Sequence, residues 1–266
     1  KALVRAHQAK GFTAAYAPKI SLEDTDQVRA TRRAFEAADI VIAEVGYWQN
    51  LMDTDAETRK THRQAMVEAL ALAEELGARC AVDIFGSYCH GKGDSQHAAK
   101  NFSPPAFDEA VAMARTFIDT VKPKTAFFAY EIFPFNVVDS PAMIAKLIRA
   151  VDRKQFGVHL DLVNLINCPR AYWTSGDIMR ECVKLFGDRI VSAHAKDIRM
   201  KEPAISVILE EVLPGQGNLD IAANLRELHK LPHNVPYMME HLKSEAEYDR
   251  AAAYIRGVAR QEGIEI

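Results

Sequence analysis

The chain has 266 residues, of which 48% are hydrophobic, and carries a formal net charge of −3. This composition can bury a large core, while the slightly acidic charge provides no basic footprint for nucleic acid or an anionic membrane. No apolar stretch approaches the ~20 residues of a membrane-spanning helix, so we expect neither a nucleic-acid partner nor a membrane segment.

Apolar stretches and helical patterns alternate along the chain. The first residues, KALVRAHQAKG, have the pattern of a helix that ends at Gly11. Seven apolar stretches then predict β-strands, at 12–18, 40–46, 79–86, 124–131, 156–161, 189–194 and 236–240. Helices are predicted after these strands, with ends near Ala38, Leu76, Val121, Val151, Phe186 and His229 and a last helix in 244–261.

Seven β/α units with largely apolar strands predict a parallel sheet that is covered on both faces. Polar residues recur at the strand ends around the whole series, which favours a closed barrel over an open sheet. A barrel would need a strand before the first helix, so we expect an eighth strand before residue 1. No composition shift or repeat divides the chain, and we predict one (β/α)₈ TIM-barrel domain over residues 1–266.

The cysteines indicate the redox compartment. None of the four shows C-x-x-C spacing, and a chain of this length does not need disulfides to fold. They are Cys80, Cys89, Cys168 and Cys182. We therefore expect reduced thiols and a cytoplasmic protein.

Four ligand-type side chains stand at the ends of four successive predicted strands. They are Glu131, Asp161, His194 and Glu240, spaced by 30, 33 and 46 residues. A strand and its crossover helix take roughly 30 residues or more, so these side chains should emerge on one rim of the sheet. Two glutamates, an aspartate and an imidazole suit a divalent cation with open positions. The alternative is that they are solvated rim residues and, for the histidine, a core residue.

Three further side chains are candidates for substrate contact. Glu44, in another strand, should reach the same rim. Trp48 and Trp173 can wall a pocket at this rim with their aromatic rings. Each tryptophan can instead pack beneath a loop.

Strand parity predicts the orientation of two more histidines and one lysine. His159 has the parity of Asp161 and should lie one layer deeper, as a core or supporting residue rather than a ligand. Lys196 has the parity of His194 and can hold a substrate hydroxyl or an anion, or can be a solvated loop lysine. His241 alternates away from the rim and is expected to be structural.

Two loops have open interpretations. The polar loop that contains His90 and His97 can form a lid or be solvated. Gly215 and Gly217 form a G-x-G pattern that in TIM barrels can cradle phosphate, but a tight turn before a helix explains it equally well. We therefore expect an unphosphorylated substrate.

The strand-end blocks AEVGYW, YEIFPF, HLDLVN, AHAKD, PGQGNLD and MMEHL resemble the sugar phosphate isomerase/epimerase family, the xylose isomerase-like barrels. This group includes tagatose/psicose 3-epimerases, inosose isomerases and dehydratases and, more distantly, endonuclease IV. The resemblance implies that Glu131, Asp161, His194 and Glu240 bind one divalent metal ion. It implies Mn²⁺ first, with Mg²⁺, Co²⁺ or Zn²⁺ as alternatives.

One position departs from the family pattern. Many relatives have a histidine three residues after the aspartate, where this chain has Asn164. In the 3-epimerases that histidine contacts substrate, and in endonuclease IV it binds the additional zinc ions. The difference implies altered substrate recognition at Asn164 and argues against a trinuclear site.

These observations predict a divalent-metal-dependent isomerase or epimerase of a ketose, keto-sugar or inosose. Glu131 and Glu240 would move a proton next to a carbonyl through a metal-stabilised ene-diolate. The alternatives are a lyase on the same scaffold, an endonuclease IV-like repair enzyme and a sugar-binding barrel without chemistry. The expected partners are a small sugar and further copies of the chain in a homo-oligomer.

Overall fold

The structure, a computed structural model, describes residues 2–92 and 96–266. Its strands are β1 (Ala14–Tyr16), β2 (Val41–Gly46), β3 (Cys80–Asp83), β4 (Phe127–Glu131), β5 (Phe156–Leu160), β6 (Ile190–Ala195), β7 (Asp197–Met200), β8 (Leu209–Val212) and β9 (Tyr237–Met239). Within these residues, seven strands form one parallel sheet in the order β1-β2-β3-β4-β5-β6-β9. The hydroxyl of Tyr16, on the edge strand β1, donates to the backbone oxygen of Met239 on the other edge strand, β9, at 3.3 Å. The sheet is thus a nearly closed barrel, and the predicted fold is confirmed.

Helices cover the outside of this barrel. Those in the described ranges are α1 (Ala2–Lys10), α2 (Thr25–Glu36), α3 (Ala56–Leu76), α4 (Pro104–Val121), α5 (Pro141–Val151), α6 (Pro169–Trp173), α7 (Ser175–Phe186), α8 (Ile221–His229) and α9 (Glu245–Gln261). Ser103 and Ser140 cap α4 and α5, and each is followed by proline, which suits the first turn of a helix. No helix in these ranges is long and apolar enough to cross a membrane.

Apolar side chains from both faces of the sheet form the core. Phe128, Tyr130 and Phe156 stack edge to face or tilted on neighbouring strands β4 and β5, with ring centroids 4.8–6.2 Å apart. All three are 1% exposed or less, so they fix the two strands whose ends carry predicted site residues. The four cysteines are all free.

The region between β6 and α8 contains a hairpin that the sequence did not predict. Strands β7 and β8 pair antiparallel there. Asp197, at the start of β7, accepts backbone N–H groups of Gly215 and Gly217 at 2.9 Å each. These two amides are therefore held by a carboxylate, which confirms the interpretation of the G-x-G pattern as a turn.

Strand register brings the carboxyl ends of the strands to one rim. Glu131 lies opposite His159 across β4 and β5, and His194 lies opposite Met238 across β6 and β9. The residues that follow β5 and β9 continue toward the same side, as in other parallel barrels. The existence of an eighth strand before residue 1 stays a prediction, as does the assignment of 1–266 to a single domain.

Candidate functional site

The four predicted ligands converge at this rim. Each of them offers one ligand atom, and these atoms all lie within 4.8 Å of one another. The Nδ1 atom of His194 lies 3.5 Å from Glu131 Oε1, 3.6 Å from Asp161 Oδ2 and 3.1 Å from Glu240 Oε2. The structure therefore brings together the residues that the sequence proposed as a metal site.

The donor set fits a divalent cation. Both ring nitrogens of His194 are buried without an aligned hydrogen-bond partner. A buried polar atom without a partner costs about 1–3 kcal/mol, so these atoms are placed for a ligand rather than for fold stability. Three carboxylates and one imidazole are donors that manganese, magnesium, cobalt and zinc accept.

A buried lysine lies beside these carboxylates. The ammonium of Lys196 is 2.8 Å from Asp161 Oδ2 and 2.6 Å from Glu240 Oε2, and its side chain is 5% exposed. Burial lowers the pKa of Lys196, but Asp161 and Glu240 raise it by more, so the net shift is upward. Burial likewise raises the pKa of Asp161, while Lys196 and His194 bring it below its usual value. Lys196 is thus a charged member of the site, and the alternative of a solvated lysine is wrong.

Glu131 is held from two sides. The indole N–H of Trp48 donates to its Oε2 at 2.5 Å. The amide nitrogen of Asn164 lies 3.4 Å from its Oε1 and donates to the backbone oxygen of Ile132 at 2.9 Å. With its Oε2 atom bound to Trp48, Glu131 presents its Oε1 atom to the ring of His194. The contact with Asn164 also helps to hold the Glu131 side chain in place.

Trp48 is positioned by residues that the sequence analysis did not single out. Its φ is +43°, an uncommon conformation for a non-glycine residue, and its ring lies directly over Gly46. A Cβ at position 46 would be 1.7 Å from the ring. The next residue, Gln49, donates its backbone N–H to buried Asp83 at 3.0 Å. In the sequence, the only indication of this arrangement was the glycine at position 46 in the block AEVGYW.

Glu44 lies enclosed beside His194, and its predicted contact with substrate stays a prediction. It is 0% exposed and lies below His194, with its Oε1 3.7 Å from the Nε2 atom of that ring. The Nε2 atom of His159, also 0% exposed, is 3.0 Å from Glu44 Oε2. Burial raises the pKa of Glu44, but the two imidazoles outweigh it and lower that pKa to about 2. His159 is thus a deeper, supporting residue, as predicted.

Trp173 and His241 lie away from the centre of the site. Trp173 ends the short helix α6, is 63% exposed and packs its ring edge-on to Tyr172 at 5.0 Å. Among the contacts of the described residues, none joins it to the quartet, so its part in the pocket stays a prediction. His241 lies at the edge of the quartet, with its Nδ1 atom 3.0 Å from Glu211 Oε1 and its Nε2 atom 3.5 Å from Glu240 Oε2.

The polar loop after β3 is partly described. His90 lies 2.9 Å from the buried carboxylate of Asp53, which also accepts the backbone N–H of Gly91 at 3.0 Å. His97 stacks on Phe135 at 5.3 Å. Residues 93–95, on which the predicted lid also depends, lie outside the described residues, and the lid stays a prediction.

The fold and the site together define a parallel β/α barrel whose mouth gathers metal-ligand side chains. Residues 2–258 match the family described as xylose isomerase-like TIM barrel. The chain belongs to this family. A search of the curated proteins finds no match to the sequence.

Solved structures share the fold at low sequence identity. D-psicose 3-epimerase from Clostridium cellulolyticum H10, solved with D-tagatose, has a TM-score of 0.71 and 13% identity, over 99% of this chain and 93% of its own. A xylose isomerase-like TIM barrel protein from Mycobacterium smegmatis, in complex with magnesium, has a TM-score of 0.69 and 15% identity, over 97% and 87%. A xylose isomerase domain protein from Planctomyces limnophilus has a TM-score of 0.69 and 18% identity, over 98% and 92%.

Proposed function

We propose that this chain is a divalent-metal-dependent isomerase or epimerase of a ketose, keto-sugar or inosose. The observation that carries the proposal is the convergence of Glu131, Asp161, His194 and Glu240 at the mouth of a xylose isomerase-like barrel. Structural relatives that act as sugar epimerases add support. A small sugar is the expected partner, and the net charge of −3 gives little counterion-release attraction to nucleic acid.

The quartet would hold one ion, for which we propose Mn²⁺, with Mg²⁺, Co²⁺ or Zn²⁺ as alternatives. When bound, such an ion polarises a carbonyl group and offsets the negative charge of an enolate. Asp161 and His194 are fully enclosed side chains, suited to fixing the position of the ion. Glu240 is more open, with 19% of its side chain exposed, and faces the space where a sugar would enter.

The two glutamates would carry the proton. Glu131 ends β4 and Glu240 follows β9, so they approach from opposite sides of the segment that carries Asp161 and His194. One carboxylate would remove the proton next to the substrate carbonyl, and the other would return a proton to the opposite face. Return to the same carbon gives an epimer, and return to the neighbouring carbon gives an isomer.

Three side chains would orient the sugar. Lys196 can donate to a substrate oxygen from an ammonium that lies beside Asp161, Glu240 and, at 3.6 Å, Glu211. Trp48 presents the part of its ring that is not packed on Gly46, and its plane lies 29° from that of His194. Asn164 would act through Glu131, and Trp173 is proposed to line the outer pocket.

A screen of keto-sugars and inososes in D₂O, with Mn²⁺ added and proton NMR as the readout, tests the proposal. We expect deuterium to enter the carbon next to the carbonyl of the true substrate as product forms. The matched controls are Glu131→Gln and Glu240→Gln, which keep the side-chain shape and remove the base. Turnover with hydrogen carried between carbons and no exchange would contradict the two-base assignment and indicate a hydride shift.

The same screen separates the alternatives. A lyase would release water or a glycosyl group, which the spectra show as a new unsaturated product; a dehydratase is among the structural relatives. An abasic-site nuclease is disfavoured because the amide nitrogen of Asn164 is engaged as a donor where the trinuclear relatives need a ligand. Homo-oligomer formation and cytoplasmic location stay predictions.

A further inference from the structure

A second group of ionisable side chains shares His194 with the quartet and extends below it. Glu44, His159 and His194 come from β2, β5 and β6, and each offers a ligand-type atom within 4.8 Å of the others. All three are at most 2% exposed. Both carboxylate oxygens of Glu44 and all four ring nitrogens of the histidines lack an aligned hydrogen-bond partner. The group therefore needs a partner for each of these atoms, or a rearrangement that pairs them.

The two nitrogens of His194 face different neighbours. Nδ1 faces the three rim carboxylates at 3.1–3.6 Å, whereas Nε2 faces Glu44 Oε1 at 3.7 Å. If Nδ1 binds an ion it must offer a lone pair, so the ring proton of a neutral imidazole has to be on Nε2. A proton at that buried atom needs an acceptor, and Glu44 is the carboxylate that faces it.

Glu44 in turn needs more than one donor. Its Oε2 lies 3.0 Å from His159 Nε2, so one oxygen of Glu44 faces each imidazole. With a proton on each facing nitrogen, both oxygens are paired and both rings are fixed in orientation. A carboxylate–histidine–metal arrangement of this kind sets the tautomer of the ligating ring.

We infer that Glu44, held by His159, accepts the Nε2 proton of His194 and fixes that ring with Nδ1 directed at the rim. Glu44 is then a positioning residue of the metal site and makes no contact with substrate. The inference rests on the proposed metal site. The competing arrangement, a second ion bound by Glu44, His159 and Nε2 of His194, would require a bridging imidazolate, which costs the removal of a second ring proton.

The first experiment measures metal affinity without reference to turnover. Metal-stripped full-length protein is titrated with Zn²⁺ by calorimetry, and the parent is expected to bind one equivalent. Glu44→Gln keeps the shape but cannot accept a proton from both imidazoles, so its affinity should fall about 10- to 100-fold. Glu227→Gln is the matched control, since Glu227 is a buried glutamate of helix α8 whose ion-pair partner is Lys230 at 2.6 Å. It should bind zinc as the parent does.

Two variants of His159 test its part. His159→Gln keeps an N–H that can donate to Glu44 and should retain affinity within a few-fold, whereas His159→Leu removes the donor and should lose affinity as Glu44→Gln does. Parent-like zinc affinity in both Glu44→Gln and His159→Leu would overturn the inference.

The second experiment reads the tautomer directly in the parent protein, so it does not depend on any variant folding. Long-range ¹H–¹⁵N spectra of the zinc-bound parent should show a proton on Nε2 of His194. If the parent binds zinc while Nε2 of His194 carries no proton, this inference is overturned and the proposed metal site is not. Two equivalents of zinc, with one lost in Glu44→Gln, would establish the second ion instead. A parent that binds no metal overturns both the inference and the proposed function.

Discussion

Replacing Gly46 with alanine should displace the Trp48 indole from Glu131. The added Cβ would lie 1.7 and 2.1 Å from two ring carbons of Trp48, far inside the ~3.5–4.0 Å of a favourable carbon contact. The indole must therefore move, and its hydrogen bond to Glu131 Oε2 is lost. A hydrogen bond to a charged group contributes about 1.5–3 kcal/mol, which corresponds to a change of about 10- to 140-fold in an equilibrium constant.

The assay is the dissociation constant for Mn²⁺, measured by calorimetry, with the deuterium-exchange rate on the identified substrate as a second readout. We expect the dissociation constant to rise by this factor. Trp48→Phe, which keeps a ring but has no N–H, should lose a similar amount. The control is Gly257→Ala in α9, where the nearest atom to an added Cβ is 3.9 Å away at the end of a flexible arginine. Parent-like Mn²⁺ binding in both Gly46→Ala and Trp48→Phe would refute the idea that the indole orients Glu131.

Three further outcomes are expected. Asp161→Ala and His194→Ala should each retain less than the one metal ion per chain of the parent, measured by elemental analysis; equal metal content would remove the metal assignment. Glu131→Gln and Glu240→Gln should each lower turnover by more than the roughly 10²–10⁴-fold of a general acid–base group, because both are also proposed ligands. Burial lowers the pKa of His194, but Asp161, Glu131 and Glu44 raise it well above 6.5, so the ring is protonated at neutral pH without metal. Metal must displace that proton, so affinity should rise about tenfold per pH unit up to the raised pKa and then level off; a flat profile between pH 6 and 8 would contradict the shift.

The barrel and the quartet were predictable because both depend on local patterns. Apolar stretches of strand length marked β1–β6 and β9, and the residue after an apolar run marked Asp161 and Glu240. Helix ends were predictable where a cap fixes them, as Gly77 does with its φ of +69° at the end of α3. These signals need no knowledge of distant contacts.

The arrangement around the quartet was not predictable in the same way. The contact between Trp48 and Glu131 joins residues 83 positions apart and depends on the missing side chain of Gly46. The strand pattern placed Glu44 near the quartet, but it did not reveal that Glu44 lies between His159 and His194. The hairpin β7–β8 was missed because exposed, short antiparallel strands carry little hydrophobic pattern.

The net charge of this site differs from that expected of an ion-pair network that only stabilises the fold. The central members of the site are four carboxylates, one lysine and two imidazoles, namely Glu44, Glu131, Asp161, Glu240, Lys196, His159 and His194, and Glu211 and His241 join them at the exposed edge. With both imidazoles neutral, as ligation of His194 requires, the lysine leaves three negative charges uncompensated in a mostly buried volume. Removing charge from water is expensive, and a network that served only stability would be balanced by its own side chains. The proposed divalent cation would offset two of the three charges. The same imbalance supports the proposal that the site binds a divalent ion and accepts a proton from carbon.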